Sequence, residues 1–232
     1  YEVGLPYIEN ITIYTELTSQ QSVSMALEEE SLDITPIPFN KKVETVLSKY
    51  ARLYTKPSTH SISIYFNLLK PNSKLKDQNI RIALNKALNQ ANLLNFVYKK
   101  EGELAPTEAS VNYRSVKRAT EHLQTWGERA RQNPEEEREL KKILNGLELD
   151  VITMDRFMFL WRGIEHQLKK YGVTLRYTTT PNEKEIYEQL LTNRASPKAW
   201  DILTWGNDDW SSNNPWTAFF AYRISDKWSA ID

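Results

Sequence analysis

Cysteine is absent from the 232 residues, so disulfides, thiolate catalysis and Cys-based metal sites are excluded together, while the compartment stays open. Glycine is scarce, with seven in the chain, and no Walker loop, GxGxxG or GxSxG can be found. Phosphate cradles built of bare backbone are correspondingly few. An excess of either charge is also lacking: Lys+Arg and Asp+Glu are both 30, for a formal net charge of zero. Nucleic acid and anionic membrane are therefore not partners reached by bulk electrostatics, although a local charged pocket is still allowed. No apolar run approaches the ~20 residues of a spanning helix, and the opening YEVGLPYIEN is not a signal peptide. The three histidines, at 60, 122 and 166, are far apart and form no HExxH. His166 follows Glu165 on a helical stretch, where a solvated face explains both.

What is present is a pattern of alternating elements. NITIYTE (10–16) alternates with period two and predicts a strand; the following SQQSVSMALEEESLDI has helical spacing at Val23, Ala26, Leu27 and Glu30. Pro36 and Pro38 interrupt regular structure, and a second helix is expected over 41–50. HSISIYFN (60–67) reads as a strand, and the polar, turn-rich KPNSKLKD after it marks the best domain boundary. Asp77 is placed to cap a helix, and Ile80, Leu84, Leu88, Ala91 and Leu94 continue one apolar stripe to Tyr98. The charged stretch 115–146 predicts two helices, the second opened by Asn133-Pro134-Glu135-Glu136. Its PEEERELKK run places acids four residues ahead of lysines, a solvated helix face.

From Leu147 the order is strand (LELDVITM), helix (DRFMFLWRGIEHQLKKYG), strand (VTLRYTTT), helix (TPNEKEIYEQLLTNR, with a Thr180…Glu183 capping box), strand (AWDILTW). Short links between alternating elements require a parallel βαβαβ sheet, because parallel neighbours need a crossover. Ligands of open α/β sheets bind beyond the carboxyl ends of strands. The third strand runs there into WGNDDWSSNNPW, and residues 200–232 hold five of the seven tryptophans. Singly each tryptophan is explained by core packing; five beside Asp208 and Asp209 describe an aromatic pocket with a few placed polar groups. Adjacent aspartates do not suit acid–base hydrolysis, since neighbours in an extended chain diverge from a common bond. Asp208 is the better inward charge and Asp209 the better cap. No catalytic set is visible, so a binding module fits better than an enzyme.

Four stretches resemble the family 5 extracellular solute-binding proteins, the peptide- and nickel-binding components of ABC importers. MALEEESLDI (25–34) resembles the family's "aLqsGevDi". YFNLLKPNSKLKDQNIRIALNKALNQANLLNFVYKKEGELAPT is similar to its hinge strand, "vRqAl" helix and following turn, with Phe66, Asn67, Arg81, Ala83, Leu84, Ala87, Gly102 and Pro106 at matching places. GIEHQLKKYGVTL is similar to "iqeqLkkiGIkv", and TWGNDDWSSNNPWTAFF to "gWxxDxxDPxxff", with Trp205, Asp208, Pro215 and Phe219/Phe220 in register apart from a short insertion. The four lie in the family's order across 11–220. The family's "aiDre" appears as Leu88-Asn89-Gln90, Glu29-Glu30-Ser31 replaces its glycine turn, and 115–146 has no counterpart.

The resemblance implies a periplasmic-binding-protein-like α/β fold (type II, a two-lobed clamshell), present here as an internal fragment. Residues 1–70 would be the closing portion of lobe one, and 71–232 the first part of lobe two, with a helical insertion at about 115–146. It implies capture of short peptides by lobe closure, with no enzymatic activity and no cofactor. The expected partners are the permease subunits of an ABC importer, and the expected setting is periplasmic or extracytoplasmic, as a monomer that binds no nucleic acid. Asp208 would pair with the ligand's terminal ammonium and Trp205 would wall the pocket, with Asn207, Asp209 and Trp210 beside them. Two alternatives stay open: a non-peptide ligand such as a nickel chelate, sugar or haem, and a sensory or interaction domain of a regulator.

Overall fold

The computed structural model describes residues 8–15, 31–35, 61–98, 102–104, 114–120, 133–180 and 194–207, with isolated positions at 21, 25, 26, 52, 54, 184–186 and 188. Of 205–207 it describes the backbone alone. The chain divides into two compact units, Tyr1–Lys56 and Pro57–Asp232.

In the first unit, residues 11–15 form no strand, and Ile11, Ile13 and Tyr14 are exposed. Alternation predicts a strand only where a neighbour takes the ladder hydrogen bonds, and no strand pairs with this segment among the described residues. Gln21, Met25 and Ala26 are helical, in line with the expected helix. The Ser31 amide donates to the Met25 carbonyl at 3.0 Å, a bond across six residues. The helix expected over 41–50 lies outside the described residues.

The second unit is built on four strands: β1 (Ser61–Phe66), β2 (Glu148–Met154), β3 (Thr174–Thr180) and β4 (Ile202–Asn207). Their order is β1-β4-β2-β3. β2 and β3 are parallel along their whole length, from Glu148 opposite Thr174 to Met154 opposite Thr180. β4 is parallel to β2 and antiparallel to β1, so the sheet is mixed. The parallel βαβαβ reading is met by β2, β3 and β4; the antiparallel edge strand is an addition to it.

The helices of this unit described from end to end are α1 (Gln78–Ala87), α2 (Gln90–Val97), α3 (Arg114–Thr120), α4 (Pro134–Leu144) and α5 (Met158–Lys169), and residues 184–186 and 188 are helical as well. Two of the caps read from sequence are present, Asp77 accepting from Asn79 N at 2.8 Å and Asn133 from Glu135 N at 3.0 Å, while Glu183 of the third lies outside the described residues. The continuous helix expected through Leu88 is instead two helices. Leu88 is extended, and Asn89 caps α2 by accepting from Asn92 N at 3.0 Å. Gln167 of α5 takes both backbone groups of Asn89, accepting from N at 2.6 Å and donating to O at 3.2 Å. Backbone groups freed by the break are thus satisfied by a tertiary contact, which an apolar stripe cannot announce. α2 lies antiparallel along α5, where a Cβ on Gly163 would come within 2.9 Å of Leu93. The core between sheet and helices centres on Trp161, which is wholly buried and packs edge-on against Tyr177 with ring centroids 6.1 Å apart. Burial, with a smaller contribution from Glu165, pushes the Tyr177 hydroxyl well above its ordinary pKa.

Candidate ligand-binding site

The winding of the parallel strands reverses at one place. From β2 the chain moves outward to β3, then returns past β2 to β4 on its other side. The carboxyl ends of β2 and β4 therefore flank a topological switch point, where open α/β sheets take their ligands. The pairing makes room there. β4 is registered with β1 over six positions, from Phe66 opposite Ile202 to Ser61 opposite Asn207. With β2 it is registered over two, Val151 opposite Ile202 and Ile152 opposite Leu203. Past Leu203, β4 stays with β1 while β2 continues to Met154 on β3.

Trp205 and Asn207 occupy the last positions of β4, opposite Ser63 and Ser61. The structure thus places the backbone of these two expected site residues at the switch-point end. Asp208, Asp209 and Trp210 lie outside the described residues. Two groups at this end were not singled out in the sequence. Thr153 and Thr204 are wholly buried where the β2–β4 ladder stops, and the Thr204 hydroxyl has no hydrogen-bond partner. Their signal was a threonine directly after an aliphatic pair in each strand, Val151-Ile152 and Ile202-Leu203. Phe159, in the first turn of α5 just after β2, stacks on Phe96 of α2 with centroids 5.3 Å apart, and both rings are substantially exposed.

The opposite end of the sheet holds a network of charges. Asp150 and Asp201 precede the paired residues Val151 and Ile202, so they are neighbours across β2 and β4. The Asp201 amide donates to Asp150 O at 2.7 Å, and the Asp150 amide donates to the Asp201 carboxylate at 2.9 Å. Lys70 Nζ donates to both carboxylates, at 3.0 Å to Asp150 and 2.9 Å to Asp201. Arg176 Nε donates to the other oxygen of Asp150 at 2.8 Å and its terminal nitrogen to Glu148 at 2.7 Å. Asn67, 3% exposed, donates to the carbonyls of Arg194 at 2.8 Å and Trp200 at 2.9 Å, and accepts from Leu69 N at 3.1 Å.

Burial pulls the Lys70 pKa down, but hydrogen bonds and charges from Asp201 and Asp150 outweigh it and leave the ammonium above its ordinary value. The Arg176 hydrogen bond, opposed by burial and helped by Lys70, holds Asp150 below the usual carboxylate range. Every charge here is engaged inside the protein, and this end of the sheet faces away from the switch point. The network is a fastening rather than a ligand site. Its sequence signal was the repeated acid–aliphatic–aliphatic pattern, Asp150-Val151-Ile152 and Asp201-Ile202-Leu203.

An open depression of about 670 Å³ lies at the same end, lined by Lys141, Lys142, Lys169 and Lys170. Lys141, Lys142 and Lys169 fall in the last turns of α4 and α5, where cations complement the helix dipole. Among the described residues no group of three or more His, Cys, Asp or Glu could hold a metal ion. No described helix is long and apolar enough to cross a membrane.

No family model matches the chain, and no curated protein matches it either. Solved structures do. NikA from Staphylococcus aureus, in complex with Ni(L-His)2, is 16% identical with a TM-score of 0.65, over 90% of this chain and 43% of its own. The periplasmic binding protein DppA from Helicobacter pylori, in complex with the peptide STSA, is 14% identical with a TM-score of 0.61, over 87% and 37%. OppA from Haemophilus influenzae, in complex with RPPGFSPFR, is 14% identical with a TM-score of 0.59, over 82% and 37%. The matched region is about two-fifths of the length of these binding proteins. In fold, the chain is a structural match to part of the family 5 solute-binding proteins.

Proposed function

We propose that the chain is part of an extracytoplasmic solute-binding protein that captures short peptides by lobe closure and delivers them to the permease of an ABC importer. Residues 1–70 supply the closing portion of one lobe and 71–232 the first part of the other. In this reading β1 is the hinge strand that ends the first portion and pairs with β4 of the second. The protein acts as a monomer and performs no chemistry on its ligand. The observation that carries the reading is the course of β4, which leaves β2 at the switch point and sends Trp205 and Asn207 to the ligand end of the sheet, one residue before Asp208.

Asp208 anchors the peptide's terminal ammonium, and Trp205, Asn207, Asp209 and Trp210 surround it. A carboxylate in a closing cleft makes a charge-assisted bond to an ammonium, and a buried ammonium without that partner costs about 3–5 kcal/mol. Side-chain tolerance would come from backbone contacts and hydrated pockets. Two solved neighbours, DppA and OppA, carry peptides of four and nine residues, which supports a peptide ligand. A second reading, a metal chelate held by the same lobes, is favoured by NikA, whose match covers 90% of the chain.

Native mass spectrometry of the full-length protein, purified gently from its host, tests both readings. A ladder of bound masses that fragment as short peptides is expected; a single metal-containing mass would replace the peptide with a chelate. Isothermal titration of a bound peptide should then show Asp208→Asn weakening affinity tenfold or more with folding intact. An unchanged affinity removes Asp208 from the site.

A further inference from the structure

The two aspartates at the amino end of the β2–β4 pair pose an electrostatic problem that one lysine solves. Asp150 and Asp201 stand at neighbouring register positions, and Asp201 is 6% exposed. Like charges side by side on adjacent strands oppose pairing. Here the pairing has two registered positions, extended by the two bonds that Asp150 and Asp201 exchange. One of those bonds uses the Asp201 carboxylate where the ladder would use a backbone carbonyl. That carboxylate must therefore be held in place. Arg176 reaches Asp150 but not Asp201 among the described contacts. The cation described on Asp201 is Lys70, itself 9% exposed, with Ser73 Oγ 3.4 Å from the second oxygen.

We propose that Lys70 is a positioning residue for the ligand site: by bridging Asp150 and Asp201 it fixes β4 against β2, and so sets where the far end of β4 presents Trp205 and Asn207. A strand that slips by one residue exchanges its two faces, so a contact at Asp201 governs the residues at the other end. Lys70 lies four residues beyond β1, in the segment that Asn67 also ties to the approach of β4. The chain leaving β1 thus carries the bolt that aligns β4. The link to ligand binding rests on the proposed function above, whereas the fastening of β4 does not.

Two measurements on the full-length protein keep those claims apart. Amide exchange followed by NMR reads the fastening at the Asp150 and Asp201 amides, with Thr174 and Thr178 of β3 as controls, because the Thr174 amide donates to Leu147 O at 2.8 Å and alternate residues of a strand face the same neighbour. Lys70→Met keeps the length and removes the charge; it should accelerate exchange at Asp150 and at residue 201 at least tenfold and leave the controls within threefold. Adding Asp201→Asn to that variant removes the repulsion, and should restore protection at both positions. Protection unchanged in Lys70→Met, or lost equally on β3, overturns the proposal. If Lys70→Met alone fails to fold, a folded double variant supports the bridging charge as the reason, and an unfolded one overturns it. Trialanine binding, measured by titration on the same samples, reads the ligand link. Affinity lost in Lys70→Met and regained in the double variant supports positioning. Affinity unchanged while the Asp150 amide is exposed overturns positioning. A wild type that fails to bind trialanine, with the exchange pattern as expected, counts against the peptide reading and leaves the fastening supported.

Discussion

Replacing the Asn67 amide with a carboxyl should destabilise the second unit in a manner set by pH. The side chain is almost completely buried, and its NH2 group donates to two carbonyls, Arg194 O and Trp200 O. Its own carbonyl oxygen accepts from Leu69 N. Asn67→Ala removes both donors and leaves two buried acceptors unsatisfied, at about 1–3 kcal/mol each, so a loss of about 2–4 kcal/mol is expected and should vary little with pH. Asn67→Asp keeps the shape, and when protonated it still donates to one carbonyl. When ionised it turns a negative oxygen toward acceptors. Its pKa in the folded state is therefore raised above the unfolded ~3.9. A raised acid binds more protons folded than unfolded between those two values, so stability falls as pH rises through that window, by about 1.4 kcal/mol per pH unit. All seven tryptophans belong to Pro57–Asp232, so urea unfolding followed by fluorescence reports this unit. At pH 4 the Asp variant should be no worse than Ala, and by pH 7 it should be clearly worse. An Asp variant that matches the wild type at pH 7, or a cost independent of pH, would refute the assigned roles of the two amide atoms.

Two further outcomes follow from the same physics. Gly172 has φ +81°, and a Cβ there would meet Asn145 Oδ1 at 2.5 Å and its Cα at 3.3 Å. Gly172→Ala should therefore cost about 2–4 kcal/mol in urea unfolding, from left-handed strain and overpacking together; a cost below about 0.5 kcal/mol would show that the turn relaxes. Arg176 holds the Asp150 pKa down, so its contribution is complete above ~4 and is lost as pH falls through the folded value. Arg176→Gln should lower stability at pH 6 and flatten the loss between pH 6 and pH 3, and an acid profile parallel to the wild type would rule out that pairing in solution.

The strands that carry the switch point were legible because their signals are local. LELDVITM and AWDILTW are apolar runs too short for helices, and the spacing of Leu160, Trp161, Ile164 and Leu168 admits one buried helical face. What was not legible depends on partners. Residues 11–15 alternate as well as any strand in the chain and form none. The stripe from Ile80 to Leu94 runs unbroken through a helix junction whose Asn89 backbone groups are bonded by Gln167 of another helix. Asp150 and Asp201 are each an unremarkable acid before a strand core; only the register makes them neighbours, and only then does Lys70 acquire a task. Of the expected site residues, sequence put Trp205 at the end of the third strand and Asn207 in the loop beyond it, and the structure has both on β4; it did not single out Thr153 and Thr204, which are buried where the β2–β4 ladder stops.

In the proposed reading, fastening and recognition lie at opposite ends of one strand. The amino end of β4 is held by a paired, partly buried charge network, and its carboxyl end approaches the switch point beside wholly buried threonines. Six residues of strand put about 20 Å between those ends. At that distance a unit charge is worth below about 1 kcal/mol at an effective dielectric of ~20, a small effect beside a shift of strand register. The influence of Lys70 must travel as geometry, through the register of β4, and so should persist as salt is raised. The charge of Asp208, in the proposed reading, acts directly on the ligand in a closing cleft, and the affinity lost on neutralising it belongs to that one contact. The two residues can thus be told apart by what a second change restores: removing the facing carboxylate at 201 compensates Lys70→Met, while no change at the amino end compensates Asp208→Asn.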